Sequence, residues 1–147
     1  MAVFAVFYNI FNILYIIMIL YLIVVLLTIM FFLSSFQKIG NFDKVSEDLR
    51  QKVGGKFSDI PFPIELAKLF IIGAIMIQFF CPLIILYSVY NKRYRIYGAY
   101  ASLMLIFFTI LATYFFHFPP RGQHYYAFMS NITTVGGLSL LSYFLYP

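Results

Sequence analysis

The chain has 147 residues, 63% of them hydrophobic and 10% charged, with a net charge of +5, and its mean hydropathy is +0.93. Soluble domains carry about 25% charged residues, so the composition excludes a water-facing globule and points to one membrane domain over residues 1–147. Lone Cys81 excludes an intrachain disulfide, and the basic residues are too dispersed for a nucleic-acid surface. The expected partners are membrane lipids and other membrane subunits.

No charged side chain precedes Lys38. A helix rises ~1.5 Å per residue and a bilayer core is ~30 Å thick, so about 20 apolar residues cross it. The run before Lys38 is far longer than that. We place the first crossing at residues 15–36 and read residues 1–14 as a surplus apolar arm. Within the arm, Phe4, Phe7, Tyr8 and Phe11 are candidate contacts to lipid or to another protein.

Residues 38–63 hold nine of the chain's fifteen charges (ten Lys and Arg, five Asp and Glu), which marks them as the one long polar segment. Inside it, Phe42, Val45, Leu49 and Val53 recur at the spacing of one helical face. The pattern predicts a short amphipathic surface helix over 42–53, between the first and second crossings. Asn41 is its expected N-cap and Gly54-Gly55 its expected stop. The stripe, Phe42, Val45 and Leu49 foremost, either covers the end of the bundle or meets lipid or a partner.

The second crossing is predicted at 64–90, after Pro61 and Pro63, with Pro82 inside it. Glu65 and Lys68, three apart, are expected to pair. Lys92, Arg93 and Arg95 follow in a short loop and are further candidate lipid or partner contacts. The third crossing is predicted at 96–118, ending at Pro119-Pro120, and the fourth at 125–146, with Gly136-Gly137 as a close packing point. Gly98 and Ser102 should serve the same purpose in the third. The fold class is all-α: an integral membrane four-helix bundle with a surface helix between its first two members.

Chemistry is sparse. The centres of the predicted crossings carry no Asp, Glu, Lys or Arg, and ionisable groups are what usually mark a pump or a charge-coupled transporter. No catalytic residues and no metal-ligand set are predicted. The candidates for a cofactor contact are Gln78, one turn before Pro82, and His117 and His124, which flank Pro119-Pro120. Two histidines could ligate haem or a metal, but they stand at opposite ends of one loop, where axial ligands usually come from facing helices. The ordinary expectation is hydrogen bonding. Thr109 and Thr113 are expected to bond their own helix backbone.

Several motifs resemble the DoxX family of small four-helix membrane proteins. FFLSSFQKI at 31–39, with Lys38, is similar to the end of the family's first helix, and GNFDKV at 40–45 to the segment after it. DIPFP at 59–63, with Pro63, resembles the proline-marked start of the second helix. YFFHFPP at 114–120 resembles the end of the third, with His117. NITTVGGLSLL at 131–141 resembles the start of the fourth, with Asn131, Gly136 and Gly137. The chain departs from the family pattern at Ala74, where Glu is common, at Ser130, where Lys is expected, and in lacking an early Arg. The resemblance implies a quinone-linked membrane oxidoreductase subunit or a role in redox homeostasis, with quinone as the implied cofactor.

The residues themselves favour an accessory or structural subunit of a larger membrane assembly, with no catalysis or cofactor of its own. A respiratory-chain complex of the mitochondrial inner membrane is the favoured setting, with a bacterial inner membrane as the alternative. A small-molecule channel or transporter is the third reading, with Gln78, Thr109 and Thr113 as its only lining.

Overall fold

The computed structural model describes residues 2–57, 62–122 and 124–146. Its elements are α1 (Ala2–Gly40), α2 (Phe42–Phe57), α3 (Ile64–Tyr90), a 3-10 turn (Lys92–Tyr94), α4 (Arg95–His117) and α5 (His124–Leu145). Four of the helices, all but α2, are long and apolar enough to cross a membrane. The all-α bundle stands, and α3 to α5 start and stop within a residue of their expected bounds.

α3 lies at the centre, with α1 on one side and α4 on the other, and α5 packs on α4. The core is Val24 and Phe31 of α1, Cys81 and Ile85 of α3, Ala99, Ala101 and Leu105 of α4, and Leu138, Leu141 and Leu145 of α5. Lipid is as apolar as Leu, so membrane helices associate through close packing and hydrogen bonds, and their interfaces favour small residues. At the α3–α4 crossing, a Cβ on Gly98 would run into the Ser88 side chain and lie 3.0 Å from Leu145 Cδ1. Ser102, fully buried, returns its hydroxyl to the Gly98 carbonyl at 2.9 Å. Of the glycine pair, only Gly137 is a packing point: a Cβ there would sit 3.1 Å from Leu27 Cδ1, while one on Gly136 would meet nothing within 4 Å.

α1 corrects the expected division at residue 15. The arm is no separate element, because the helix runs unbroken from Ala2 to Gly40. Its buried residues are Val24, Thr28, Phe31 and Ser35, and Leu20 also packs on the core. The span long and apolar enough to cross runs Leu14–Gly40, so the expected start near 15 stands and the end moves to Gly40, while the packed part is about 20–40. The register confirms this. Phe79 meets Phe32 and Phe36 edge to face, and Gln78 bonds Ser34. Counting back along this antiparallel pair puts Tyr90, the end of α3, level with about residue 22 of α1. The residues before Leu20 extend past the bundle by ~27 Å. Tyr8, Phe11 and Leu14 to Ile19 are all exposed there, Phe11 at 72% and Met18 at 70%. The side chains of Phe4 and Phe7 lie outside the described residues.

α2 differs from expectation in three ways, each with a physical cause. It continues through Gly54-Gly55 to Phe57, since glycine only lowers helix propensity, by ~1 kcal/mol, and does not forbid the helix. Asn41 does not cap it: its Nδ2 donates backward to the Gln37 carbonyl at 3.1 Å, closing the end of α1. The apolar stripe faces inward. Leu49 joins Ala67 and Ile71 of α3 in a second small core, flanked by Phe42, Val45, Val53, Ile75 and Phe116. Leu49, and in part Phe42 and Val45, therefore cover the bundle's end. On the outer face, the Arg50 guanidinium bonds Glu47 at 2.7 Å. Hydrogen bonds from Arg50 and then Gln51 hold the Glu47 carboxyl below the usual range. The expected Glu65–Lys68 pair is replaced by Lys68–Asp43 at 3.0 Å, because docking α2 brings Asp43 to the first turns of α3. Asp59 and Pro61 lie outside the described residues.

Candidate functional site

Three groups of polar side chains interrupt the apolar bundle. The first joins α1 to α3. Lys38 Nζ donates to Ser34 Oγ, one turn back, at 2.5 Å. Gln78 Nε2 reaches the same hydroxyl at 3.3 Å. Gln78 is 4% exposed, yet its Oε1 is buried with no partner. Whichever way the amide is turned, one of its polar atoms faces Ser34 and the other is left alone. Ser34 is the member that sequence reasoning missed, although its i, i+4 spacing to Lys38 was a usable signal.

The second group joins α4 to α5. Thr109 and Thr113 donate to the Leu105 and Thr109 carbonyls at 2.7 and 2.6 Å. Both hydroxyls thus bond their own helix. Asn131 Nδ2 then donates across to Thr113 Oγ1 at 2.9 Å. Asn131 is a helix–helix tie. On the far end of the same pair, Ser142 donates to the Ala99 carbonyl at 3.2 Å.

The third group sits where α4 ends and α5 begins. The loop between Phe118 and Gln123 folds back so that the His117 and His124 rings stand 5.8 Å apart. Opposite ends of the loop are thus neighbours, which the sequence reading did not foresee. Gly122, at φ +55°, takes the left-handed conformation that glycine adopts without steric cost. Arg121 N–H bonds the Pro119 carbonyl at 2.9 Å, and His124 N–H the Arg121 carbonyl at 3.1 Å. His117 Nδ1 is buried with no hydrogen-bond partner. Lys52 arrives from α2, its Nζ 3.5 Å from the Phe116 carbonyl and 4.6 Å from the centre of the Phe116 ring. No sequence signal could have placed Lys52 here, because the docking of α2 does so. Among the described residues, no third His, Cys, Asp or Glu joins the pair.

Below this cluster, α4 and α5 leave a groove of about 280 Å³ lined by Ile110, Thr113, Tyr114, Phe118, Phe128, Asn131, Ile132 and Val135. The structure keeps Gln78 and the two histidines apart: Gln78 belongs to the α1–α3 contact, and His117 and His124 to the α4–α5 end. Of the remaining motif positions, Pro63 is the N-cap of α3, extended at ψ 134°. At the opposite end of the bundle, Lys92 and Arg93 are exposed, and the Arg95 guanidinium lies 5.8 Å from the Phe144 ring centre.

Comparison with curated proteins and with solved structures finds no match. A family model, DoxX, matches residues 19–118. That stretch begins where α1 begins to pack, runs to the end of α4, and leaves out the bare half of α1 and all of α5. It covers well over half of the 147 residues, and the chain belongs to the DoxX family.

Proposed function

We propose that this protein is a non-catalytic subunit of a larger membrane assembly, docked through the first half of α1. One observation carries the reading. The helix extends ~27 Å beyond the bundle, with six consecutive exposed apolar residues, Leu14 to Ile19, covering every side. A helix that is apolar all round belongs inside a membrane or a large protein. The whole of α1 is ~58 Å long, and even a tilt of ~40° leaves it longer than a ~30 Å bilayer core. Lipid therefore accounts for only part of α1, and a neighbouring protein accounts for the rest. The centres of the crossings carry no Asp, Glu, Lys or Arg, so the chain would contribute surface and not chemistry. A respiratory complex of the mitochondrial inner membrane is the assembly this reading favours. The test is purification of the tagged chain in mild detergent, with and without residues 2–14. The full chain should bring stoichiometric membrane partners, identified by mass spectrometry, and the truncated chain should lose them while keeping its bundle. Recovery of both as stable monomers sinks the reading.

A second reading, a quinone-linked oxidoreductase subunit, is favoured by the unpartnered Gln78 amide atom beside Ser34 and Lys38. A quinone or quinol head could supply the missing hydrogen bond. It requires that purified protein carry quinone and that Gln78→Leu release it.

A further inference from the structure

We propose that the mouth of the α4–α5 groove binds the headgroup phosphate of an anionic phospholipid, and that the groove holds one of its acyl chains. On α4, Ile110, Tyr114 and His117 follow one another at helical spacing, and on α5 so do His124, Phe128 and Asn131. By that spacing the histidines lie one turn beyond Tyr114 and Phe128, on the helix faces that line the groove below them. They stand at a helix end and a helix start, which is the depth of lipid phosphates. Among the described residues, Lys52 lies beside Phe116, Arg121 stands in the loop, and two imidazoles are 5.8 Å apart. His117 Nδ1 still lacks a partner. No carboxylate completes a metal set with the two histidines among the described residues, and two imidazoles fall short of the four ligands of a structural zinc site. Further down, the polar atoms of the wall are already engaged with each other, Asn131 with Thr113. What remains there is apolar and suits hydrocarbon. From His117 to Ile110 the wall runs ~10 Å, enough for about eight methylenes. Among the described residues no carboxylate pairs with Lys52 or Arg121, so the charge pattern favours an anionic over a neutral head.

The test uses the full-length chain, alone or in the assembly it brings along. Lipids are titrated in and counted by native mass spectrometry, with phosphatidylglycerol set against phosphatidylcholine of the same chains. The wild type should retain one phosphatidylglycerol above the background of phosphatidylcholine. Replacing both Lys52→Gln and Arg121→Gln should lower that retention about tenfold or more. Lys92→Gln with Arg93→Gln, at the other end of the bundle, should leave it unchanged. Ile132→Trp, which fills the groove, should lower it too. If Ile132→Trp does not fold, the charge variants still decide. The proposal is overturned if both lipids are retained alike, if the two pairs of charge variants act equally, or if quinone and not phosphatidylglycerol is displaced by Ile132→Trp.

Discussion

The two halves of α1 are built from the same kinds of side chain and meet opposite surroundings. From about Leu20 onward the helix buries Val24, Thr28, Phe31 and Ser35 along one stripe. Before Leu20 it buries nothing that the structure describes, and residues 14–19 are exposed on every side. The composition follows the difference only in part, since Leu20, Val24 and Leu27 pack without small neighbours in sequence. Residues 6–27 contain no Gly, Ala, Ser or Thr, whereas Thr28, Ser34 and Ser35 follow in quick succession. Apolar bulk selects the solvent, and small side chains select the neighbour, because only they let two backbones approach. The same contrast separates Gly98, pressed against Ser88, from Gly136, which touches nothing.

That rule can be broken first where contact is closest. Gly98→Val should cost about 3 kcal/mol or more, at the upper end of overpacking penalties. Unfolding of the purified bundle in detergent measures it, and Ser88→Gly in the same chain should recover part of the loss. A next test compares the halves of α1 directly. Phe31→Ala should destabilise the bundle by about 3 kcal/mol, the low end for a buried Phe→Ala change, whereas Phe11→Ala should stay within about 0.5 kcal/mol. Equal effects would mean that the first half is packed in the isolated chain. A smaller effect is expected at the α4–α5 tie: Asn131→Leu should cost roughly 0.6–1.7 kcal/mol, the range for hydrogen bonds between membrane helices. Gln78→Leu should cost less than Asn131→Leu. It removes one bond but also a buried atom with no partner, and such an atom carries a desolvation penalty.

The smallest effect lies on the outer face of α2. The Glu47 carboxyl titrates lower in the folded chain than in the unfolded one, because Arg50 and Gln51 hydrogen-bond its charged form. A depressed carboxyl contributes stability above its unfolded value and loses it as pH falls through the folded one. The contribution is therefore present at neutral pH and fades below about 4.5, the ordinary value. Exposed pairs of this kind are weak. Shifts of the Arg50 and Gln51 side-chain N–H groups during an acid titration would show the loss, and Glu47→Gln should abolish them.

Much of this architecture was legible in the chain. Four long apolar runs, the prolines before α3 and after α4, and the period of Phe42, Val45, Leu49 and Val53 placed every helix, and bounded all but α1 to within a few residues. The motifs from Phe31 to Pro120 carried the family. The candidate site was legible only in pieces. His117, His124 and Asn131 stood out by residue type. Lys52 did not, because a lysine in a charged segment is unremarked until a fold gives it neighbours, and Ser34 was legible only through its i, i+4 spacing to Lys38.

By itself, the sequence determined the solvent, the number of crossings and the all-α class. Each follows from local run length and hydropathy, which need no knowledge of contacts. Only the tertiary structure decided which part of α1 packs, that Lys68 pairs with Asp43 and not with Glu65, and that the two histidines meet. Those outcomes depend on helix register and on a loop folding back. Both are settled by how the elements dock on one another, which apolar run length alone does not record.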